Sequence, residues 1–370
     1  MRKILFFTSF PPPNTGQTVT TQLIYRLLEN EFTLNKINTI DINRLDRESG
    51  IFSPMYFFIY LRRFLLLIKE LLIFKPYYVY LTYSSTKLGL YRDVISVLFI
   101  KLFFPRANII THIHSGNYSL NFNSGLYQFL FRILIKYTYQ FIFLSKSLNH
   151  CKSLLRKEQI VYLSNTIGNN IIFEGKEIQN KRDLRMRRDI FQIVFISNMI
   201  ESKGFYDLAK AVSLLESNFR VKVDFVGGWK NEIDRKNFID FIKQLNIYEI
   251  CEVHGGVSER SIIKEFLNRA DAFVLPTYYP IEAQPISIIE ALNSGTPVIA
   301  TNHASIPEMI TNNYDGFLVP INRPDIIADK IKILYKPKTW KQFSINARKN
   351  YQLNFSPEVF GQNIKSIFND

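Results

Sequence analysis

Two carboxylates, Glu282 and Glu290, stand with seven residues between them in the stretch 273–310, FVLPTYYPIEAQPISIIEALNSGTPVIATNHASIPEMI. Glu282 falls in the loop before a helix, and Glu290 a little over one turn inside it. Pro285 suits the first turn of that helix, where a missing N–H costs nothing. Ile286, Ile289 and Leu292 recur at helical spacing, and Gly295 ends the helix. A helix start offers free amide N–H groups, here from Ile286 and Ser287, at the positive end of the helix dipole. Amides for a diphosphate and carboxylates for hydroxyl groups are what a sugar nucleotide requires. Lys203, in the loop after an earlier strand, adds a cation that can neutralise a departing diphosphate.

Short apolar runs must carry these residues. Lys3–Thr8, Lys36–Ile42, Tyr77–Thr82, Asn108–His114, Phe141–Ser145 and Ile160–Leu163 read as strands in the first half. Helical stretches fall near 17–30, 54–74, 88–104, 124–139 and 147–157. The segment 166–190 is polar, basic and poor in apolar periodicity. The alternation restarts with strands Phe191–Ile196, Val221–Val226, Cys251–His254, Phe273–Leu275 and Val298–Ala300. Helices near 203–216, 231–245 and 258–269 separate the first four, and three more near 324–335, 338–350 and 357–368 close the chain. Strands alternating with helices imply an α/β fold of two doubly wound parallel sheets. The expected domains are 1–166 and 191–370, joined by a linker over 167–190, with the last helix returning to the first domain. Ligands of such sheets sit beyond the carboxyl ends of strands. Gly16, Lys203 and Glu282 follow strands and His114 ends one, so one composite site between two facing domains is expected.

The 370 residues carry a net charge of +14, with 46 basic against 32 acidic side chains. Residues 1–166 hold 20 basic and 8 acidic side chains, so this half carries nearly all the excess. The two cysteines, Cys151 and Cys251, lack metal-ligand spacing and fit a reducing compartment. The five histidines show no zinc-site spacing. His112 and His114 are read as pointing to opposite faces of their strand. The apolar region Ile51–Phe74 is broken by Arg62, Arg63, Lys69 and Glu70, and no membrane-crossing helix is expected.

The Glu282/Glu290 spacing in its strand–loop–helix setting, with GTPVIAT and IPEMI, resembles the E-x7-E signature of retaining glycosyltransferases of family four. That family has the GT-B fold. Phe195–Gly204, FISNMIESKG, is similar to its first nucleotide-domain loop, with Lys203-Gly204 as the matching pair. Asn198 stands where many relatives have an arginine. Thr111–Gly116 resembles its strand-end His-x-Gly, and Gly16 stands where relatives often have a glycine pair, here Gly16-Gln17. Asn165 remains of a Pro-Asn-Gly turn. Val226–Gly228 and His254–Val257, including Gly255 and Val257, resemble loops that face the nucleotide.

The resemblance implies a retaining, hexosyltransferase-type enzyme that moves sugar from a nucleoside-diphosphate sugar to a glycan or lipid-linked acceptor. Bacterial capsule or lipopolysaccharide assembly is the expected setting. Glu290 is expected to hold the ribose hydroxyls, Glu282 to lie near the sugar, and Lys203 to meet the diphosphate. His114 is expected to position the sugar from the first domain, and Gly16 to approach acceptor or phosphate. No cofactor or metal is expected to be required, since a lysine and helix amides can already stabilise the diphosphate charge, and no Asp-x-Asp triplet appears. The basic, aromatic-rich segments Met55–Phe64, Ile100–Arg106 and Phe129–Lys136 suggest a cytoplasmic protein lying peripherally on the anionic inner face of the cell membrane. No nucleic-acid motif accompanies the positive charge. A nucleotide-sugar epimerase of similar architecture and a non-catalytic, nucleotide-sugar-binding partner subunit are the alternatives.

Overall fold

A computed structural model describes residues 1–13, 15–39, 54–84, 86–116, 118 and 124–369, with the side chains of 54–57 and 87 set aside. Part of the basic segment Met55–Phe64 thus lies outside the described side chains. The chain forms two compact units, Met1–Asn165 with Phe360–Asp370, and Thr166–Val359.

In the first unit the elements run β1 (Lys3–Thr8), α1 (Gly16–Leu28), β2 (Thr33–Asn38), α2 (Pro54–Ile73), β3 (Tyr78–Thr82), α3 (Lys87–Phe103), β4 (Asn108–Ile113), α4 (Gly125–Tyr137), β5 (Gln140–Phe143) and β6 (Ile160–Tyr162). The strands form one parallel sheet in the order β2-β1-β3-β4-β5-β6. Strand β3, YVYLT, is buried at every residue, as a strand covered by helices on both faces should be. The expected helix 147–157 is instead two single 3-10 turns, Lys152–Leu154 and Lys157–Gln159. The buried Gln159 amide donates to the carbonyls of Ile135 (3.0 Å) and Thr138 (2.8 Å), tying this segment to the end of α4.

The second unit begins with a helix where a linker was expected. Segment 167–190 contains α5 (Gly175–Arg187), which buries Ile178, Lys181 and Arg185. The spacing is helical, but two of the three inward residues are cations, so an apolar periodicity never appears. Lys181 Nζ donates to Leu267 O (2.6 Å), Ser294 O (3.2 Å) and Thr296 Oγ1 (2.5 Å). Burial pulls its pKa down to about 7. Arg185 donates to Tyr335 O (2.7 Å) and lies 3.6 Å from Asp271.

The remaining elements are β7 (Phe191–Ile196), α6 (Phe205–Ser213), β8 (Val221–Val226), α7 (Glu232–Gln244), β9 (Cys251–Val253), α8 (Arg260–Arg269), β10 (Ala272–Leu275), α9 (Ile286–Asn293), β11 (Val298–Thr301), α10 (Ile306–Met309), β12 (Gly316–Val319), α11 (Pro324–Tyr335), α12 (Pro337–Asn354) and α13 (Pro357–Asn369). The sheet order is β12-β11-β10-β7-β8-β9, all parallel. The four-residue edge strand β12 had no counterpart in the sequence reading. The order reverses between β7 and β10, which opens a crevice at their carboxyl ends. Phe360, Ile364, Ile367 and Phe368 of α13 are buried with Ile4, Phe6 and Tyr78 of the first unit. Arg2 Nη1 caps the end of that helix through Phe368 O (3.1 Å) and Asn369 O (2.9 Å).

Candidate functional site

The loops leaving β7 and β10 meet at the reversal point. After β7, residues Glu201–Lys203 form a 3-10 turn that ends on Gly204. Gly204 has φ +86°, and a Cβ there would lie 2.1 Å from the carbonyl oxygen of Pro276, which follows β10. Only glycine permits both the left-handed backbone and this approach. Tyr278 N donates to Ser202 O at 2.7 Å, closing the second contact between the loops.

That junction sets Lys203 against Glu282. Lys203 Nζ lies 2.7 Å from Glu282 Oε2, with the side chains 12% and 7% exposed. The Thr277 hydroxyl lies 3.0 Å from the same oxygen and accepts Tyr279 N–H at 3.2 Å. The Tyr279 ring centroid is 4.4 Å from Lys203 Nζ, a cation–π distance. Three residues beyond or ending β11 hold the loop from the other side. Thr301 donates to Thr277 O, His303 Nε2 lies 2.9 Å from Tyr279 O, and Ser305 donates to Ala283 O.

Helix α9 begins immediately after Pro285, which occupies the N-cap rather than the first turn. Among the described residues, the N-cap makes no side-chain cap hydrogen bond, and the first turn carries no acidic residue. The N–H groups of Ile286 and Ser287, both half-buried, therefore stand at a positive helix end. The helix closes in a Schellman turn: Gly295 N donates to Leu292 O (3.0 Å) and Thr296 N to Ala291 O (2.9 Å), with Gly295 at φ +63°. Lys181 of α5 holds this end through Ser294 and Thr296, so the expected linker positions the helix that carries Glu290.

Glu290 is only 2% exposed and forms an ion pair with Arg260, the first residue of α8. Arg260 was absent from the sequence reading. The available signal was chemical rather than periodic: a buried carboxylate demands a cation, and α8 supplies one next to the HGGVSE loop. Gly255 O accepts Gly227 N–H at 3.2 Å, and the half-buried Val257 packs against the core. Asn198 is exposed and presents a neutral amide.

Gly16 and His114 lie in the first unit. Gly16 opens α1, whose N-cap Thr15 forms a capping box with Thr18. Gln17 Nε2 donates to Thr82 Oγ1 (2.8 Å), which lies 2.6 Å from Thr8 Oγ1, so the helix start is tied to the ends of β1 and β3. His114 follows β4. The expectation that His112 and His114 face opposite ways is wrong, because residues two apart on a strand share a face. Their ring centroids are 3.8 Å apart. His112 Nδ1 pairs with the Tyr80 hydroxyl at 2.7 Å. Burial lowers both imidazole pKa values, that of His114 to about 3 and that of His112 well below the ordinary range.

Among the described residues, Asp224, Glu252 and His254 could bring three metal-ligand atoms within 4.8 Å. Spacing along the chain hides this trio, since β8 contributes one member and β9 and its end the others. Asp224 Oδ1 already pairs with Arg269 (2.9 Å) and His254 (2.9 Å), which offsets its charge from within the protein.

The model of the family described as Glycosyl transferases group 1 matches residues 176–350, nearly all of the second unit. This unit belongs to the group 1 glycosyltransferases. The chain is 25% identical over 245 residues to the capsular polysaccharide biosynthesis glycosyltransferase CapM of Staphylococcus aureus. That alignment covers 62% of this chain and 60% of CapM. The chain is also 25% identical over 231 residues to N,N'-diacetylbacillosaminyl-diphospho-undecaprenol alpha-1,3-N-acetylgalactosaminyltransferase of Campylobacter jejuni, covering 60% of this chain and 57% of that protein. The matched stretches thus span less than two thirds of either relative. The solved structure of Anabaena HepE in complex with UDP and glucose aligns over 100% of both chains, with TM-score 0.72 and 15% identity. The likeness shows that the whole chain has the GT-B fold.

Proposed function

We propose that the protein is a retaining, hexosyltransferase-type glycosyltransferase that moves a sugar from a nucleoside-diphosphate sugar to a lipid-linked acceptor in bacterial surface polysaccharide assembly. The observation that carries this reading is the pair of carboxylates around the start of α9. Glu282 pairs with Lys203 and the buried Glu290 with Arg260, beside uncapped amides at the strand reversal. In this reading Glu290 accepts the ribose hydroxyls, Glu282 faces the sugar, and Lys203 with the amides of Ile286 and Ser287 stabilises the leaving diphosphate. The acceptor attacks the face the diphosphate leaves, and a diphosphate oxygen takes its proton. Lys203 and the helix end supply the positive charge, so the reading calls for no divalent cation. The two named relatives, one a capsular enzyme and one whose name includes a diphospho-undecaprenol, support the choice of acceptor.

A second surface supports a membrane-borne acceptor. No described helix is long and apolar enough to cross a membrane. Helix α3 packs between α2 and α4. Leu65 is 60% exposed, Leu102 73% and Phe129 61%, with Arg62, Arg106 and Arg132 exposed on the same three segments. Apolar side chains with arginines nearby suit an anionic membrane interface. Lys101 is otherwise engaged, donating to Pro105 O (3.2 Å) and Ala107 O (2.7 Å). The reading places the protein at the cytoplasmic face of the membrane.

Thermal stabilisation by nucleoside diphosphates tests the reading. At least one of UDP, GDP and ADP should raise the melting temperature, and its nucleotide sugar should do so in the absence of metal. No stabilisation by any of them would remove the basis for a donor site.

A further inference from the structure

Glu290 is nearly inaccessible, yet its partner is not. Arg260 is 40% exposed, while Glu290 is 2% exposed. The guanidinium reaches in from the first residue of α8 and meets the carboxylate at one oxygen, Oε1. A carboxylate has lone pairs for two hydroxyl groups of a ribose, but the sites that Arg260 uses must first be freed. Among the described residues Glu290 is the one carboxylate that Arg260 pairs with, so a displaced guanidinium has no second acidic partner waiting. A phosphate would provide one, and the planar fork of arginine suits it. The loop after β7 offers only Lys203 as a cation, because Asn198 is neutral.

We propose that Arg260 is an exchange residue of the donor site: it pairs with Glu290, yields that carboxylate to the ribose, and then pairs with the diphosphate. The inference rests on the donor-site reading above. It has a consequence that a structural role lacks. A nucleoside pays to displace Arg260 and receives nothing in return. A nucleoside diphosphate pays the same cost and regains a charge-assisted contact. Arg260 therefore selects against ligands without phosphate, and removing it should shift the two affinities in opposite directions.

Calorimetry on the full chain with UDP, GDP and ADP, and with uridine, guanosine and adenosine, provides the test. The best-binding pair is then measured against Arg260→Ala and Arg260→Lys. In Arg260→Ala the nucleoside should bind about fivefold more tightly, the scale of a partly exposed ion pair. The diphosphate should bind about tenfold more weakly, the scale of a lost charged hydrogen bond. Arg260→Lys should restore most of the diphosphate affinity. Affinities that fall together, or do not move, overturn the proposal while leaving the donor site standing. A wild-type protein that binds none of the six removes the donor-site reading itself, and the exchange with it.

Discussion

Lys203 Nζ and Glu282 Oε2 lie 2.7 Å apart at the tips of two loops that leave the neighbouring strands β7 and β10. Each charge is mostly hidden from water, so each depends on the other. The pair stands where the strand order reverses, beside the open amides of α9. On the proposed function, a diphosphate arriving there would meet Lys203 already positioned, and a sugar would meet Glu282 already oriented. Pre-set partners of this kind avoid reorganisation in the transition state.

Lys203→Ala and Glu290→Gln should each reduce transfer by roughly a hundredfold or more, the cost of removing one charged transition-state contact. Circular dichroism should show both variants folded. Turnover at the wild-type rate in either would contradict the assignment.

Glu282 and Glu290 should fail differently. Glu282 lies in the loop and touches Lys203 and Thr277, whereas Glu290 lies inside the helix and touches Arg260. Glu282→Ala should impair use of the nucleotide sugar while retaining most affinity for the nucleoside diphosphate. Glu290→Gln should lose that affinity. Calorimetry on both variants decides it; equal losses would merge the two roles.

Gly204→Ala should destabilise the second unit by at least about 2 kcal/mol, since a left-handed backbone is strained for alanine and its Cβ would meet the Pro276 carbonyl. Urea denaturation measures this. A shift under half that size would show that the β7 and β10 loops can part freely.

The adjacent buried rings of His112 and His114 make the first unit acid-sensitive. Both are held neutral, with the folded pKa below the ordinary 6.5. Between pH 6.5 and about 3 the unfolded chain binds more protons at these positions, so stability is full above pH 6.5 and falls as the pH drops through that window. His114→Gln should flatten the decline in melting temperature between pH 6 and pH 4. An unchanged slope would contradict the neutral assignment.

Much of this was legible in the sequence, and the reasons are physical. The strands β1, β7 and β8 are short segments rich in apolar β-branched and aromatic residues, and the structure places them at the residues expected. The strand–loop–helix around Glu282 and Glu290 announced itself through Pro285, the helical spacing and Gly295. Helix α5 was hidden because Lys181 and Arg185 face inward and find carbonyl and carboxylate partners there. Arg260 was hidden because a single exposed-looking arginine in a helix start has no pattern; only the buried carboxylate it meets reveals it. The histidine pair was misjudged through the strand period itself.

Binding to vesicles should require anionic lipid and weaken as salt rises, because the arginines of α2, α4 and the turn after α3 act through a screened field. Leu102→Glu with Phe129→Glu should abolish cosedimentation without changing the melting temperature, since both side chains are largely exposed. Equal partitioning onto neutral vesicles, or none onto anionic ones, would remove the membrane surface from the account.

The central claim is transfer with retention, and the anomeric configuration of the product tests it most directly. The protein would be incubated with the nucleotide sugar whose diphosphate stabilises it best and with lipid-linked acceptors, and the new glycosidic linkage read by NMR. The account predicts a glycoside with the same anomeric configuration as the donor. An inverted linkage, or conversion of the donor with no acceptor required, would contradict it.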